Sequence, residues 1–288
     1  MDSQKACLAN CELFGRFADC FESQVVPLWQ DVYDSLVARA RAVPGSKVLD
    51  VGTGTGEVAL RMGRVAGPKG HIVAIDTEKE MLGICRRKAK ESGIHNVRFK
   101  QMNVERLDLP DASFDSVVGN YAICCVLDYE KALRECLRVL KPGGRLTFNQ
   151  SGPGDPREFI VALGIFEKYQ TTAPSKRLEE IREARVMQKE AVEMYRAPSV
   201  TLGLMKKLGY DKGQATSTER VIRYKDAGAF LDRLLLFNWR PESQEVSGPD
   251  LSRFRSDGVK ALASLSQGPQ FLVRDEMVFF TGLRPHVN

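Results

Sequence analysis

The stretch Lys47–Leu60, KVLDVGTGTGEVAL, constrains this chain more than any other. Val48, Leu49 and Val51 read as a buried parallel strand. Gly52, Gly54 and Gly56 read as a turn without side chains, where a ligand can lie against backbone N–H groups at the N-terminus of the next helix. This is the pattern of a nucleotide-binding loop. Its spacing, Asp50-x-Gly52-x-Gly54-x-Gly56, is not the G-x-G-x-x-G of a dinucleotide loop. No Lys-Ser or Lys-Thr pair follows, which excludes a phosphate cradle of the P-loop kind.

Pro44 and Gly45 end what precedes the loop, and Glu57–Ala66 continues it as a helix until Gly67, Pro68 and Gly70. His71–Ile75 then reads as a second strand ending in Asp76. An acid about 20 residues beyond such a loop is placed to accept the ribose hydroxyls of an adenosine. NAD would require the same acid, so Asp76 indicates adenosine and leaves the cofactor open. A helix over Glu78–Ser92, a strand over Val97–Gln101, a strand over Ser113–Asn120 and a helix over Leu127–Leu140 follow. Proline and paired glycines in Lys141-Pro142-Gly143-Gly144 end that helix and reverse the chain into a fifth strand, Arg145–Asn149.

The order and spacing of these motifs resemble the class I S-adenosylmethionine-dependent methyltransferases. The segments MNVERLDLP (102–110) and RVLKPGGRLTF (138–148) are similar to their counterparts in the small-molecule enzymes of the ubiquinone and menaquinone C-methyltransferase type. The resemblance covers roughly residues 45 to 150. It implies an α/β fold with a seven-stranded Rossmann-like methyltransferase sheet and helical cap insertions, and S-adenosyl-L-methionine as cofactor. Carried over residue by residue, the cofactor set is Asp50, Gly52, Thr53, Gly54, Gly56, Asp76, Thr77, Met81, Asn103, Val104 and Asn120. Asn103 departs from the family, which commonly has a carboxylate there to accept from the adenine amino group; an amide oxygen can still accept one hydrogen bond.

Residues 12–42 read as two amphipathic helices, the second carrying Val25, Val26, Leu28, Trp29, Val32, Tyr33, Leu36 and Val37. The resemblance implies that such a prelude crosses the mouth of the cofactor pocket, where Phe14, Phe17 and Phe21 would wall the donor and face its sulfonium charge. The chain therefore divides into a helical prelude or lid (1–44), a donor-binding core (45–150), a helical cap insertion (151–200) and a completion of the sheet (201–288) with a helical insertion at about 226–268. Helices are expected over Arg157–Gln170, Lys176–Tyr195, Ser199–Leu208, Asp226–Phe237 and Asp250–Leu265, and a sixth strand over Thr216–Tyr224. The last strand, Phe271–Gly282, alternates and suits an edge position in a hairpin.

The expected reaction is in-line methyl transfer to a small, fairly apolar acceptor at carbon, oxygen or nitrogen. Such chemistry is largely a matter of positioning and excluding water. Its weak base candidates are Tyr121, Asp128 and Tyr129 after the fourth strand and Glu12 in the prelude. His71 and His95 fall at the amino end of the sheet, and His286 in the tail. The acceptor candidates are Phe14, Phe17, Phe21, Tyr121, Phe166 and Tyr169, within a wider set of cap aromatics that includes Phe159, Phe230, Phe237 and Trp239. The adjacent thiols Cys124 and Cys125 offer either small core side chains or a site for a soft acceptor. Asn120-Tyr121 lacks the prolines of the (Asp/Asn)-Pro-Pro-Tyr motif of amine methyltransferases.

With 43% hydrophobic and 27% charged residues, the chain of 288 can bury a full core, and its net charge of +5 is spread without a one-sign block. That disfavours a nucleic-acid surface. Seven cysteines without a C-x-x-C pair suit reduced thiols in a cytoplasmic protein. The spacing of Cys7, Cys11 and Cys20 fits no common zinc pattern, so no metal is expected. No run approaches the roughly 20 apolar residues of a membrane span. A monomer or homodimer acting on a small-molecule acceptor is the expectation. Two alternatives keep the fold: a donor-binding regulatory or partner protein without transferase activity, and an NAD-linked oxidoreductase, which the glycine spacing disfavours.

Overall fold

The computed structural model describes residues 17–265 and 268–286. Parallel strands β1 (Lys47–Val51), β2 (His71–Asp76), β3 (Val97–Gln101), β4 (Phe114–Asn120) and β5 (Leu140–Ser151) are joined by antiparallel β6 (Asp211–Tyr224) and β7 (Phe271–Leu283). The seven-stranded sheet runs β3-β2-β1-β4-β5-β7-β6. The chain moves outward from β1 to β3, then returns to the far side of β1 for β4. The switch in strand order therefore lies between β1 and β4, where an open α/β sheet forms its ligand crevice.

Both faces are covered. Beneath one face, α1 (Gln30–Ala40) and α2 (Glu57–Ala66) place Val32, Tyr33, Leu36, Val58 and Met62 against Val48, Ile72, Val118 and Phe279. On the other, α4 (Tyr129–Val139) and α7 (Pro198–Leu208) pack Tyr129, Leu133, Cys136, Leu204 and Met205 on Leu49, Val117, Leu146 and Phe280, while α3 (Lys79–Glu91) follows β2. Burial on both faces is why β1 and β4 carry adjacent apolar residues, Val48-Leu49 and Val117-Val118, rather than strictly alternating ones. A third cluster forms the cap, where α5 (Arg157–Phe166), α8 (Ala227–Arg233) and α9 (Gly248–Leu262) enclose Phe166, Phe230, Trp239 and Phe254 over Tyr224, Phe271 and Val273. A further helix, α6 (Lys176–Val192), precedes α7.

Three expectations change. The prelude is not one long second helix: Phe21–Val25 is a π-turn and Val26–Trp29 a 3₁₀ turn before α1 starts. Pro27 lacks the N–H that an α-helical ladder would need there. Strand β5 starts at Leu140, and the Lys141–Gly144 segment bulges from it, since the partner register jumps from Phe114–Leu140 to Ser116–Arg145. Strand β7 is not an edge. It pairs with β5 through Met277–Leu283 and with β6 along nearly its whole length, so β6 is the edge strand. The alternation of β7 holds only at its start, and Met277 to Gly282 are buried without a break. Among the described residues, no helix is long and apolar enough to cross a membrane.

Candidate functional site

The loops after β1 and β4 lie side by side at the carboxyl end of the sheet. Their approach is so close that a Cβ on Gly52 would come 2.5 Å from the Cβ of Ala122. Gly52, Gly54 and Gly56 all have positive φ, at 59°, 55° and 91°, a region that side chains disfavour. A Cβ on Gly56 would also meet the Sγ of Cys85 at 2.9 Å. Gly56 therefore packs the loop against α3, while Gly52 and Gly54 leave bare backbone in the wall of a cavity of about 450 Å³.

Asp76 closes the adjacent side. One carboxylate oxygen accepts from Gly54 N–H at 2.8 Å and the other from Glu78 N–H at 3.0 Å. Thr77 N–H also donates to this carboxylate, and the acceptor capacity left over fits a ribose. Thr77, Met81, Met102, Asn103 and Val104 continue the wall, and Asn120, Phe21, Trp29, Tyr33 and Tyr121 complete it across the loop. A carboxylate for ribose, an apolar slot between Met81 and Val104, and aromatic faces beyond Gly52 together fit an adenosine bearing a cationic sulfur.

A profile of the ubiE/COQ5 methyltransferase family matches residues 16–172, more than half of the chain. The chain belongs to the ubiE/COQ5 methyltransferase family. Among curated relatives, the ubiquinone/menaquinone biosynthesis C-methyltransferase UbiE of Vibrio vulnificus is 45% identical over 106 residues, 36% of this chain and 41% of that protein. The demethylmenaquinone methyltransferase of Listeria welshimeri is 41% identical over 117 residues, 40% of this chain and 50% of that protein. The chain thus spans about half the length of the curated relatives it matches. The fold is that of a putative methyltransferase from Bacillus halodurans, with a TM-score of 0.58 at 17% identity over 88% of this chain and 99% of the other.

Within this family member, the sequence-derived residues separate into those that face the cavity and those that support it. Gly52, Gly54, Asp76, Thr77, Met81, Asn103, Val104 and Asn120 line the cavity. Asp50, Thr53 and Gly56 stand behind it. Asp50 is 1% exposed and accepts from Thr53 Oγ1 at 2.6 Å, and from the N–H of Ala59 in the first turn of α2. It braces the glycine loop against the helix start. The amide of Asn103 is largely committed locally: its oxygen accepts from Glu105 N–H at 2.8 Å and its nitrogen donates to Glu105 at 3.0 Å. Glu105, which the sequence did not single out, lines the cavity beside it.

The acceptor and base candidates fare less well. Tyr121 and Phe21 line the cavity. Phe17 stands outside that wall, with the Arg240 guanidinium 4.0 Å above its ring. Phe166 is fully buried and stacked on Trp239 at 4.8 Å, while Tyr169 donates to Asp257 at 2.6 Å. Both belong to the cap core, because a helix face that packs the cap has the same periodicity as one that lines a pocket. Asp128 caps α4 by accepting from Lys131 N–H at 2.8 Å. Tyr129 is buried, donates to Gln150 at 2.7 Å and stacks on Tyr195 at 4.2 Å. Neither lines the cavity. Glu12 and Phe14, with Cys7 and Cys11, lie outside the described residues.

Of the cap aromatics, Phe159, Phe230 and Phe237 line the cavity, and Trp239 is buried behind them. Cys125 reaches the cavity, with Cys124 Sγ 4.0 Å away. The bond to Cys125, together with burial, holds the Cys124 thiol well above its ordinary pKa. A protonated thiol is a poor ligand for a soft acceptor. Sequence reasoning missed Trp29, Tyr33, Ser151, Asp155, Tyr224, Arg233, Asn238 and Asp275, which also line the cavity. They come from segments far apart in the chain, and only the β6–β7 pairing and the cap bring them together.

Burial pushes the Asp50 carboxyl up to about 7, with the nearby Asp76 carboxylate adding to the rise. In the unfolded chain the same group titrates near 4. Its contribution to stability is therefore fully present below about pH 4 and is lost as pH rises through about 7, where the folded state must bury a charge. Asp50→Asn removes that charge. Thermal denaturation should show wild type losing stability relative to Asp50→Asn between pH 5 and pH 8, by on the order of a few kcal/mol. Parallel pH dependence of the two proteins would contradict this assignment.

Proposed function

We propose that this chain transfers the methyl group of S-adenosylmethionine to a small, largely apolar acceptor held under its cap. One observation supports this most: the wall that fits the donor continues without a partition into a chamber roofed by Phe159, Phe230, Leu234 and Phe237. Bound there, the donor would supply a methyl carbon activated by its sulfonium. The chain's own residues do the rest. Asp76 would hold the ribose, Met81 and Val104 would enclose the adenine with the amide of Asn103 at its edge, and Gly52 would let the donor's tail approach the backbone. Phe21, Trp29 and Tyr33 from the prelude would exclude water from the sulfur. Positioning of this kind can supply about 7–11 kcal/mol of the barrier.

The name of the UbiE enzyme specifies C-methylation in ubiquinone/menaquinone biosynthesis, and that of the Listeria enzyme specifies methylation of demethylmenaquinone. The family match ends at residue 172, whereas Ile222, Tyr224, Phe230, Phe237, Val273 and Asp275 wall the acceptor side. The acceptor class assigned here, small and mostly apolar, therefore follows from the chamber. Titration calorimetry against S-adenosylmethionine, S-adenosylhomocysteine and NAD, followed by incubation with a labelled methyl donor and a metabolite extract, tests the reading. Binding of the two sulfur compounds with label entering a small organic product is the expected result. Binding of NAD alone, or donor binding with no labelled product, would overturn it.

A further inference from the structure

The acceptor chamber holds a polar centre that none of the sequence motifs indicated. Strands β6 and β7 place Arg220 directly opposite Asp275, so the two side chains emerge on the same face. Arg220 is 6% exposed. Its guanidinium lies 4.0 Å from the Trp29 ring centroid and donates to the Leu28 carbonyl. Trp29 meets Tyr121 edge-on at 4.8 Å. Asp275, Tyr121 and Trp29 line the cavity, and Arg220 stands against them.

Two donors at this centre lack acceptors: Arg220 Nη1 and Trp29 Nε1 are buried without a hydrogen-bond partner, and the buried Tyr121 hydroxyl beside them has the Ser151 side chain within reach. Leaving such a group unsatisfied is costly, and two in one place call for an explanation. The backbone carries a second outlier there. Tyr121 has φ of 50°, a strained conformation for a non-glycine residue that collects at functional sites. It is held by Asn149, whose side-chain oxygen accepts from Tyr121 N–H at 2.8 Å while its amide nitrogen donates to Asn120 at 3.0 Å. The fold thus keeps the Tyr121 ring against Trp29 at a cost. What the centre offers is one carboxylate beside two uncompensated donors and a guanidinium charge. That is complementary to a group which arrives with an acidic hydrogen and leaves it as a negative oxygen.

We propose that Asp275 is the proton acceptor for a hydroxyl on the methyl acceptor, and that Arg220, Trp29 and Tyr121 supply the field that stabilises the resulting oxyanion. The proposal deepens the methyltransferase reading and rests on it. In the step, the acceptor's O–H bond breaks, its proton passes to the Asp275 carboxylate, and the electron pair stays on the acceptor. That pair, at oxygen or at a conjugated carbon, forms the new bond to the methyl carbon as the pair of the breaking C–S bond returns to sulfur. When carbon is attacked, its hydrogen then leaves to water as a proton. Burial holds Asp275 above the usual carboxylate range, with Arg220 and Arg196 opposing the rise and Asp155 adding to it. A raised carboxyl is a better match to a weakly acidic hydroxyl. Donors and a guanidinium charge fixed beside a developing oxyanion are the arrangement that stabilises it.

The test uses 4-nitrophenol, whose phenolate is yellow, added to the full chain saturated with S-adenosylhomocysteine in a buffer acidic enough to keep the free probe colourless. Wild type should bind the probe in its yellow form. Asp275→Asn, close in shape, should bind it at least tenfold more weakly or in the colourless form, and Tyr121→Phe should show a smaller loss in the same direction. Asp275→Asn, which lies outside the donor wall, should keep the wild-type affinity for S-adenosylhomocysteine. The assignment is overturned if bound probe stays colourless in wild type, if it is equally yellow in both variants, or if it fails to bind a protein that binds S-adenosylhomocysteine. Failure of S-adenosylhomocysteine itself to bind wild type would instead remove the methyltransferase reading beneath it.

Discussion

Asp76→Ala and Gly54→Arg should each abolish measurable binding of S-adenosylhomocysteine in a protein that keeps its circular dichroism spectrum. Asp76 is the carboxylate that holds the glycine loop in register, through Gly54 N–H, and leaves lone pairs for a ribose. Alanine removes both functions. Hydrogen bonds to a charged group are worth about 1.5–3 kcal/mol each, so losing two to the ribose should weaken binding on the order of a hundredfold or more. Gly54 acts differently. Its φ of 55° strains any side chain, but a Cβ there would meet only Phe21 Cε1 at 3.8 Å. The loop therefore tolerates the first atom of an arginine, and the rest of that side chain must occupy the cavity. Wild-type affinity in either variant, measured by titration calorimetry, would place the donor elsewhere.

The region from Lys47 to Asn120 was legible because its elements announce themselves independently. Glycine and proline punctuate them, and strands buried on both faces are apolar along their length. The predicted spans of β2, β3 and α2 match those observed. Strand neighbours are another matter. Nothing in the pattern of Phe271–Gly282 says that β7 slides between β5 and β6, and it is that insertion which sets Asp275 opposite Arg220. The acceptor centre combines positions 29, 121, 220 and 275, whose contact is decided by topology alone. Asp128 was legible in principle. An aspartate just before an apolar-periodic helix is an N-cap signature, and its exposed position outside the cavity follows from that role. The cavity aromatics could not be sorted from the cap-core aromatics by spacing, since Phe159 and Phe166 lie about two helical turns apart on α5 and only the first reaches the cavity.

That distinction gives the second large effect. Phe166→Ala should destabilise the protein by about 3–5 kcal/mol while leaving the affinity for S-adenosylhomocysteine unchanged. Phe166 is fully buried, stacked on Trp239 at 4.8 Å and edge-on to Phe254 at 5.0 Å. Deleting the ring leaves a void among rigid aromatic neighbours, and such a site collapses poorly. The donor wall is formed by the loops after β1, β2, β3 and β4 together with the prelude, none of whose described residues belongs to this ring cluster. Phe159, about two turns earlier, should show the reverse balance. It tilts against Trp239 at 5.5 Å but also lines the chamber, so Phe159→Ala should enlarge the acceptor space and cost less in stability. Thermal denaturation and calorimetry on the two variants separate the cases. A Phe166→Ala protein as stable as wild type would mean that the cap is not held together by its aromatic core, and the wall it presents to the acceptor would then lack the rigidity that in-line alignment requires.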